Sequence, residues 1–386
     1  MKVVLLTTSF PLREEDVSGI FVQRLATALT RHVDLTIIAP AGREKPDNGP
    51  YRLRAVRYAP RKCRVLAHSG GGIPDAIRRK DPRLIFLFTL IPALFLRTWF
   101  EARKADIVHG NWSIPSVIGA LAARLAARPA VATLRGEDFT RALSSRIFRF
   151  FLQTSLRLNH YTICVSQAMA QDLKEAYPVY AEKIRFIPNG VSTVKPGIRE
   201  DFRYPIRLLT VGSCIQRKRQ DMILRAMGTA PNSGHFVLRI VGDGPLKSEI
   251  YRLAERLGIS DHVELVGSVP PEEVGRHLEW ADAFVLPSES EGRSNALMEA
   301  MAAELPVIAS DIAGSQELVG NHCGFLFENG NTDDLAKRLD QVKNDPDAAL
   351  AKGKQAGERI VSLGVTWDNC AENYLEIYQS AISYGK

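Results

Sequence analysis

The stretch ADAFVLPSESEGRSNALMEAMAAELPVIASDIAG, Ala281 to Gly314, carries the architecture in miniature. ADAFVLP is an apolar run that reads as a buried strand, and PVIAS reads as a second one. Between them a polar loop leads into a helical segment opening near Asn295, with Ser294 placed to cap it. Strand, helix and strand in such close succession make a βαβ unit with parallel strands.

The same alternation runs outward in both directions. On the N-terminal side of this unit lie IRLLTVG, FVLRIVGDG and HVELVG, each followed by a helix-like segment. The first half repeats the pattern with KVVLLTTS, VDLTIIAP, ADIVHG, AVATLRG, YTICVS and KIRFIPN, and a polar stretch, Ser192 to Pro205, interrupts the rhythm as a linker. The pattern predicts an α/β chain of two Rossmann-like, doubly wound parallel-sheet domains over residues 1–200 and 201–365. A last helical segment, about 366–386, is left to pack on either domain and is assigned to the first. In open α/β sheets ligands sit beyond the carboxyl ends of the strands, so the site is expected in a cleft faced by the two domains.

The net charge of +7 conceals an asymmetry. Residues 1–200 hold 31 Lys and Arg against 16 Asp and Glu; the remainder hold 19 against 27. A basic first half favours an acidic partner: a pyrophosphate-bearing molecule, an anionic membrane surface or nucleic acid. The basic segment has few interleaved aromatics and no known nucleic-acid module, which argues against the last of these. The five cysteines are scattered without metal-ligand spacing, and their odd number argues against a disulfide framework, so a reducing cytoplasm is expected. MKVVLLTTSF reads as a first strand rather than a signal peptide.

The longest apolar run, Leu84 to Leu96, spans 13 residues and contains Pro92. That is short of the ~20 a spanning helix needs. One reading makes it a buried core helix. The other makes it membrane-facing, because Arg52 to Arg83 carries ten Lys and Arg against two acids. The glycine-rich HSGGGIP, His68 to Pro74, is either part of such a surface or a flexible loop.

The chemistry concentrates around Glu291 and Glu299. Opening amides of a helix have no acceptor within it, and with the helix dipole they suit phosphate. A carboxylate is a poor phosphate ligand but a good acceptor for paired hydroxyls. One glutamate before the helix and one inside it therefore fit a sugar–phosphate–sugar ligand, a nucleotide sugar. A bland alternative makes Glu291 a solvated loop charge and Glu299 an exposed helix residue. Arg217, Lys218 and Arg219 follow a strand end and read as a phosphate clamp or as a solvated helix start. Gly19, in a loop between strand and helix, allows close backbone approach to phosphate. No GxGxxG motif occurs, so nicotinamide binding is disfavoured.

Taken together, SESEGRSNALMEAMAAELPVIASDIAGSQE, VGDGP, IPNGV and DIVHGNWSIPS resemble glycosyltransferase family 4, retaining enzymes of the two-domain GT-B fold, over nearly the whole chain. The resemblance implies a nucleotide-diphosphate sugar donor held by the C-terminal domain and an acceptor held by the N-terminal one. It places Glu291 at the donor sugar and Glu299 at the nucleotide ribose. Gly292, Arg293, Ser294, Asn295 and Ala296 then contact sugar and phosphate, Lys218 with Arg217 the diphosphate, and Gly19 and Gly244 also bind the donor, Gly19 from a loop facing its phosphates. It implies no cofactor and no obligatory metal. Ser213 stands where many members have a basic residue, and Arg135 of TLRGEDF where many have histidine. His109 and Asp138 are nearby candidates for acceptor contact, and a satisfied structural role is the alternative for each.

The resulting expectation is a cytoplasmic, peripherally membrane-associated enzyme moving sugar onto a glycan or lipid-linked acceptor in bacterial cell-surface polysaccharide synthesis. A nucleotide-sugar epimerase, a soluble small-molecule glycosyltransferase and a non-catalytic nucleic-acid-binding protein are the competing readings.

Overall fold

A computed structural model describes residues 1–12, 19–43, 49–67, 73, 76–77, 80–191, 201–202, 204–229, 232 and 234–384. The chain divides into two compact units, Met1–Gly190 with Trp367–Lys386, and Val191–Thr366. The expected boundary at 200/201 thus falls ten residues late. Most of HSGGGIP and most of the linker stretch lie outside the described residues.

The first unit is built on a seven-stranded sheet in the order β3-β2-β1-β4-β5-β6-β7, parallel throughout. Its strands are β1 Lys2–Leu6, β2 Asp34–Pro40, β3 Arg52–Val56, β4 Ile107–Asn111, β5 Ala130–Leu134, β6 Tyr161–Cys164 and β7 Ile184–Phe186. β4 and β5 are buried at every position, as a sheet covered on both faces requires. On one face lie α1, Ile20–Leu29, and the last helix of the chain, Trp367–Tyr384. That last helix sends Cys370, Tyr374 and Tyr378 inward at four-residue spacing, so its apolar stripe is spent on the first unit's core.

α2, Leu87–Ala102, extends a 3-10 turn at Pro82–Phe86 and packs beside α3, Ser113–Leu125. Leu90, Leu94, Thr98 and Ala102 form its inward stripe. Pro82–Ala102 is 21 residues long, so the helical stretch exceeds the apolar run and is long and apolar enough to cross a membrane. The buried-core reading is nevertheless corrected: only 17% of its most apolar window is buried. One narrow stripe is fully buried, Leu87, Ala93 and Phe95 flank it half-buried, and Phe88, Leu96 and Phe100 face outward. α3 in turn packs on α5, Arg146–Leu158, which α4, Glu137–Ser144, precedes. α6, Gln167–Ala176, completes the unit with its N-terminus capped by Ser166.

The second unit carries a six-stranded sheet, also parallel, in the order β10-β9-β8-β11-β12-β13. These strands are β8 Ile206–Val211, β9 Phe236–Val241, β10 Val263–Gly267, β11 Ala283–Leu286, β12 Val307–Ser310 and β13 Phe325–Phe327. The helices are α7 Gln220–Met227, α8 Lys247–Arg256, α9 Val274–Trp280, α10 Asn295–Ala302, α11 Ala313–Val319, α12 Thr332–Asn344 and α13 Pro346–Ser362. The quoted stretch is the unit β11–α10–β12, and its strands pair in parallel. Two Rossmann-like α/β units, as expected, make up the chain.

Candidate functional site

In the second unit β8 and β11 are neighbours, so the loops leaving their carboxyl ends meet. The loop after β8 turns through the 3-10 segment Gln216–Lys218 and passes Arg219 in a left-handed conformation, φ 47°. The Arg217 carbonyl accepts from the Glu289 amide at 2.8 Å, and the Arg217 guanidinium donates to the Ser290 carbonyl at 2.8 Å. The two loops are thereby stitched together by main-chain contacts.

Glu291 lies at that seam. Lys218 Nζ donates to its Oε1 at 2.5 Å, and Arg217 Nη1 approaches its Oε2 at 3.3 Å. The Lys218 and Glu291 side chains are only 15% and 11% exposed, so neither is the solvated charge of the bland reading. Burial pushes the Glu291 carboxyl up, but Lys218 and then Arg217 outweigh it and hold its pKa below the ordinary value. The group is ionised at neutral pH, and two cations on one carboxylate leave a positive surplus.

Gly314 fixes the loop from behind. A Cβ there would come within 2.6 Å of the Gly292 carbonyl and 2.8 Å of the Glu291 carbonyl, so only glycine lets α11 approach so closely. This residue was passed over in the sequence reading, although the signal stood in DIAGSQE.

Three residues on from Glu291, the Ser294 hydroxyl accepts from the Leu297 amide at 3.4 Å and opens α10. Asn295 and Ala296 form the first turn, both half-buried; Gly292 is half-buried before them. Glu299 is buried within the same helix, not exposed on it. Gly244 sits in the loop after β9, which the Cys214 and Leu246 amides tie to the loop after β8.

Arg293 departs from expectation. Its side chain is 2% exposed and donates to Glu317 at 2.9 Å, inside the unit. Burial pulls its pKa down while Glu317 pushes it up. The guanidinium's Nη1 is engaged by an internal ion pair, whereas the expectation set this side chain against the donor.

In the first unit a second polar cluster forms beyond the ends of β4 and β5. Arg135 Nη1 donates to Asn189 Oδ1 at 2.5 Å and Nη2 to Asn111 Oδ1 at 2.9 Å. The guanidinium lies 4.8 Å from the centre of the Phe21 ring. Burial lowers the Arg135 pKa, yet a guanidinium stays charged at neutral pH. Asp138 accepts the Ser113 amide at 2.6 Å and the Arg135 amide at 3.0 Å, so its carboxylate braces two loops. Gly19 opens α1 at φ 80°, and a Cβ there would fall 2.4 Å from the Ser9 carbonyl.

His109 is wholly buried. Nδ1 pairs with the Tyr378 hydroxyl at 2.7 Å and Nε2 with the Thr133 hydroxyl at 2.8 Å, while Thr133 meets Tyr374 at 3.0 Å. Burial, helped by Arg135, lowers its pKa to about 3, so the ring is neutral. The reading of His109 as an acceptor contact is corrected, because both nitrogens are engaged inside the core.

Two family models match consecutive segments. The one described as Glycosyltransferase Family 4 matches residues 18–195, and the one described as Glycosyl transferases group 1 matches 198–359. Over 370 residues the chain is 25% identical to TuaC of Bacillus subtilis (strain 168), provisionally named a teichuronic acid biosynthesis glycosyltransferase, with 89% of this chain and 90% of that one covered. It is 34% identical over 169 residues to the amylovoran biosynthesis glycosyltransferase AmsK of Erwinia amylovora, 41% and 42% of the two chains. Among solved structures, Anabaena HepE in complex with UDP-glucose superposes with a TM-score of 0.77 at 18% identity, covering 98% of this chain and all of that one. At that identity the likeness speaks to fold.

Proposed function

Because the chain belongs to glycosyltransferase family 4, with the two-domain GT-B fold, we propose that it takes its sugar from a nucleotide-diphosphate donor. The sugar passes, with retained anomeric configuration, to a glycan or lipid-linked acceptor of bacterial cell-surface polysaccharide. The observation that carries this reading is the Lys218–Glu291 pair, four residues before a capped helix start. The UDP-glucose held by HepE supports the donor class, and the names of TuaC and AmsK support the polysaccharide.

In this reading the diphosphate replaces Glu291 as the anion facing Lys218 and Arg217, and the opening amides of α10 complete the cradle. Glu291, released from Lys218, accepts from a sugar hydroxyl, and Glu299 accepts from the ribose. As the bond from the anomeric carbon to the phosphate oxygen breaks, negative charge collects on the departing nucleotide, where Lys218 and the amides stabilise it. The acceptor hydroxyl attacks from the same face and its proton passes to that phosphate oxygen. The cations required are supplied by side chains, and the chemistry calls for no metal. Within the first unit, Arg135 is the candidate for acceptor contact, with Asn111, Asn189 and Asp138 as its positioning residues.

A thermal-shift panel of nucleotide sugars, set beside RNA and DNA oligonucleotides, tests this. Stabilisation by one nucleotide sugar, with nucleotide diphosphate released only when acceptor is present, is expected. Stabilisation by nucleic acid alone, or conversion of the donor to its epimer without acceptor, would overturn it.

A further inference from the structure

Sixteen large hydrophobic side chains stand exposed among the described residues, and eleven of them fall between Ile77 and Phe150. Scattered singly they would mean nothing, but adjacent helices gather them. On α2, Phe88, Leu96 and Phe100 are exposed and turned away from the docked stripe of Leu90, Leu94 and Thr98, with Leu96 nearly opposite it. α3 packs beside α2 and exposes Leu125; α5 packs beside α3 and exposes Ile147 and Phe150. Phe88 is 80% exposed and Ile147 68%, values no core demand explains. The sequence pointed to α2 alone. Packing order adds the other two helices.

Charge frames this face. Residues 82–150 carry ten Lys and Arg against four Asp and Glu. Exposed Arg103 and Lys104 close α2, exposed Arg124 adjoins Leu125, and exposed Arg146 and Arg149 bracket Ile147. Of the acids, Glu101 already pairs with Arg54 and Arg97, Asp106 accepts the Lys2 amide, and Asp138 is buried under backbone amides.

We propose that the outward face of α2, α3 and α5 is a docking surface for an anionic lipid bilayer, lying in the interface rather than spanning it. The stripe at Leu90, Leu94, Thr98 and Ala102 holds α2 to the sheet, so the helix presents its outer side without leaving the unit. Apolar side chains enter the headgroup boundary while the basic ones meet lipid phosphates. A second copy of the chain fits less well. A two-fold contact would set this cationic rim against itself, and a symmetric interface must be self-complementary. The surface belongs to the first unit alone and stands independently of the donor reading.

Co-sedimentation of the full chain with phosphatidylcholine vesicles, with and without phosphatidylglycerol, tests the proposal. Binding should need the anionic lipid and weaken at high salt. Phe88→Glu/Phe150→Glu and Arg103→Glu/Lys104→Glu/Arg146→Glu should each weaken it by about tenfold or more, since each removes apolar burial or several surface cations. All of these side chains are exposed or rim the surface, so circular dichroism should stay native and nucleotide-sugar stabilisation unchanged. Indifference of the wild-type chain to anionic vesicles at low salt would overturn the proposal. So would wild-type binding by the phenylalanine variant, or a dimer in light scattering that this variant dissociates.

Discussion

Lys218 and Glu291 are 73 residues apart in the chain and 2.5 Å apart in the fold. Neighbouring places for β8 and β11 in the sheet bring their loops together, and Gly314 lets a third segment close behind Glu291. The result is a half-buried pair in which each charge depends on the other.

Replacing Lys218 by Met should therefore cost about 1–3 kcal/mol of stability, because Glu291 loses the nearer of its two cations and keeps the longer contact to Arg217. Adding Glu291→Gln should recover part of that loss. Urea denaturation of the four proteins in the cycle measures the coupling; strictly additive effects would contradict it.

Arg293 separates structure from binding. Arg293→Met leaves Glu317 without its buried partner, so a loss of about 3–5 kcal/mol is expected. Donor affinity of the folded fraction should stay within about twofold, well under the ~1.4 kcal/mol that a tenfold change represents. Denaturation and ligand titration on the same preparation distinguish the two effects.

His109 predicts a pH dependence. Its folded pKa, about 3, lies below the ordinary 6.5, so the unfolded chain binds a proton that the folded one refuses. Stability should fall as pH drops from 6.5, by up to about 1.4 kcal/mol per unit from this residue. Glu291, with its pKa also depressed, withholds its own contribution to the loss until pH falls below its ordinary 4.5. Between those limits His109→Gln should show a stability slope shallower by about one proton. An unchanged slope would place the ring in water.

Much of this was legible in the chain. Periodicity gave both parallel sheets, and the polar loop before NALMEAMAA marked the helix start where Ser294 caps it. Long-range polar pairing was not legible. His109 and Tyr378 are 269 residues apart, and only the return of the last helix to the first unit joins them. Arg293 and Lys218 look alike as loop cations. Which one turns inward depends on where Glu317 and Glu291 lie, and sheet order decides that. The outer face of α2 was ambiguous for a related reason: an apolar run does not reveal how narrow its docked stripe will be.

The five thiols should divide by burial. Burial pushes Cys164 and Cys370 up to about 12 and Cys214 to about 11, whereas Cys63 and Cys323 are half-buried. A colourimetric thiol reagent near neutral pH should titrate Cys63 and Cys323 in the folded protein and all five after denaturation. Rapid reaction of the other three would show that the sheets open.

Transfer should survive chelation, since Lys218, Arg217 and the helix amides supply the positive charge in the proposed chemistry. Activity assayed with and without excess EDTA checks this. Abolition reversed by a divalent cation would assign part of that charge to a metal.

The central claim is that Lys218 and the start of α10 grip a nucleotide-diphosphate sugar. Calorimetric titration of nucleotide sugars into the wild-type chain and Lys218→Met tests it most directly. Saturable one-to-one binding of at least one donor is predicted, weakened by about tenfold or more in the variant, as loss of a charge-assisted contact implies. Equal affinity in the two proteins, or no binding of any nucleotide sugar by the wild type, would contradict it.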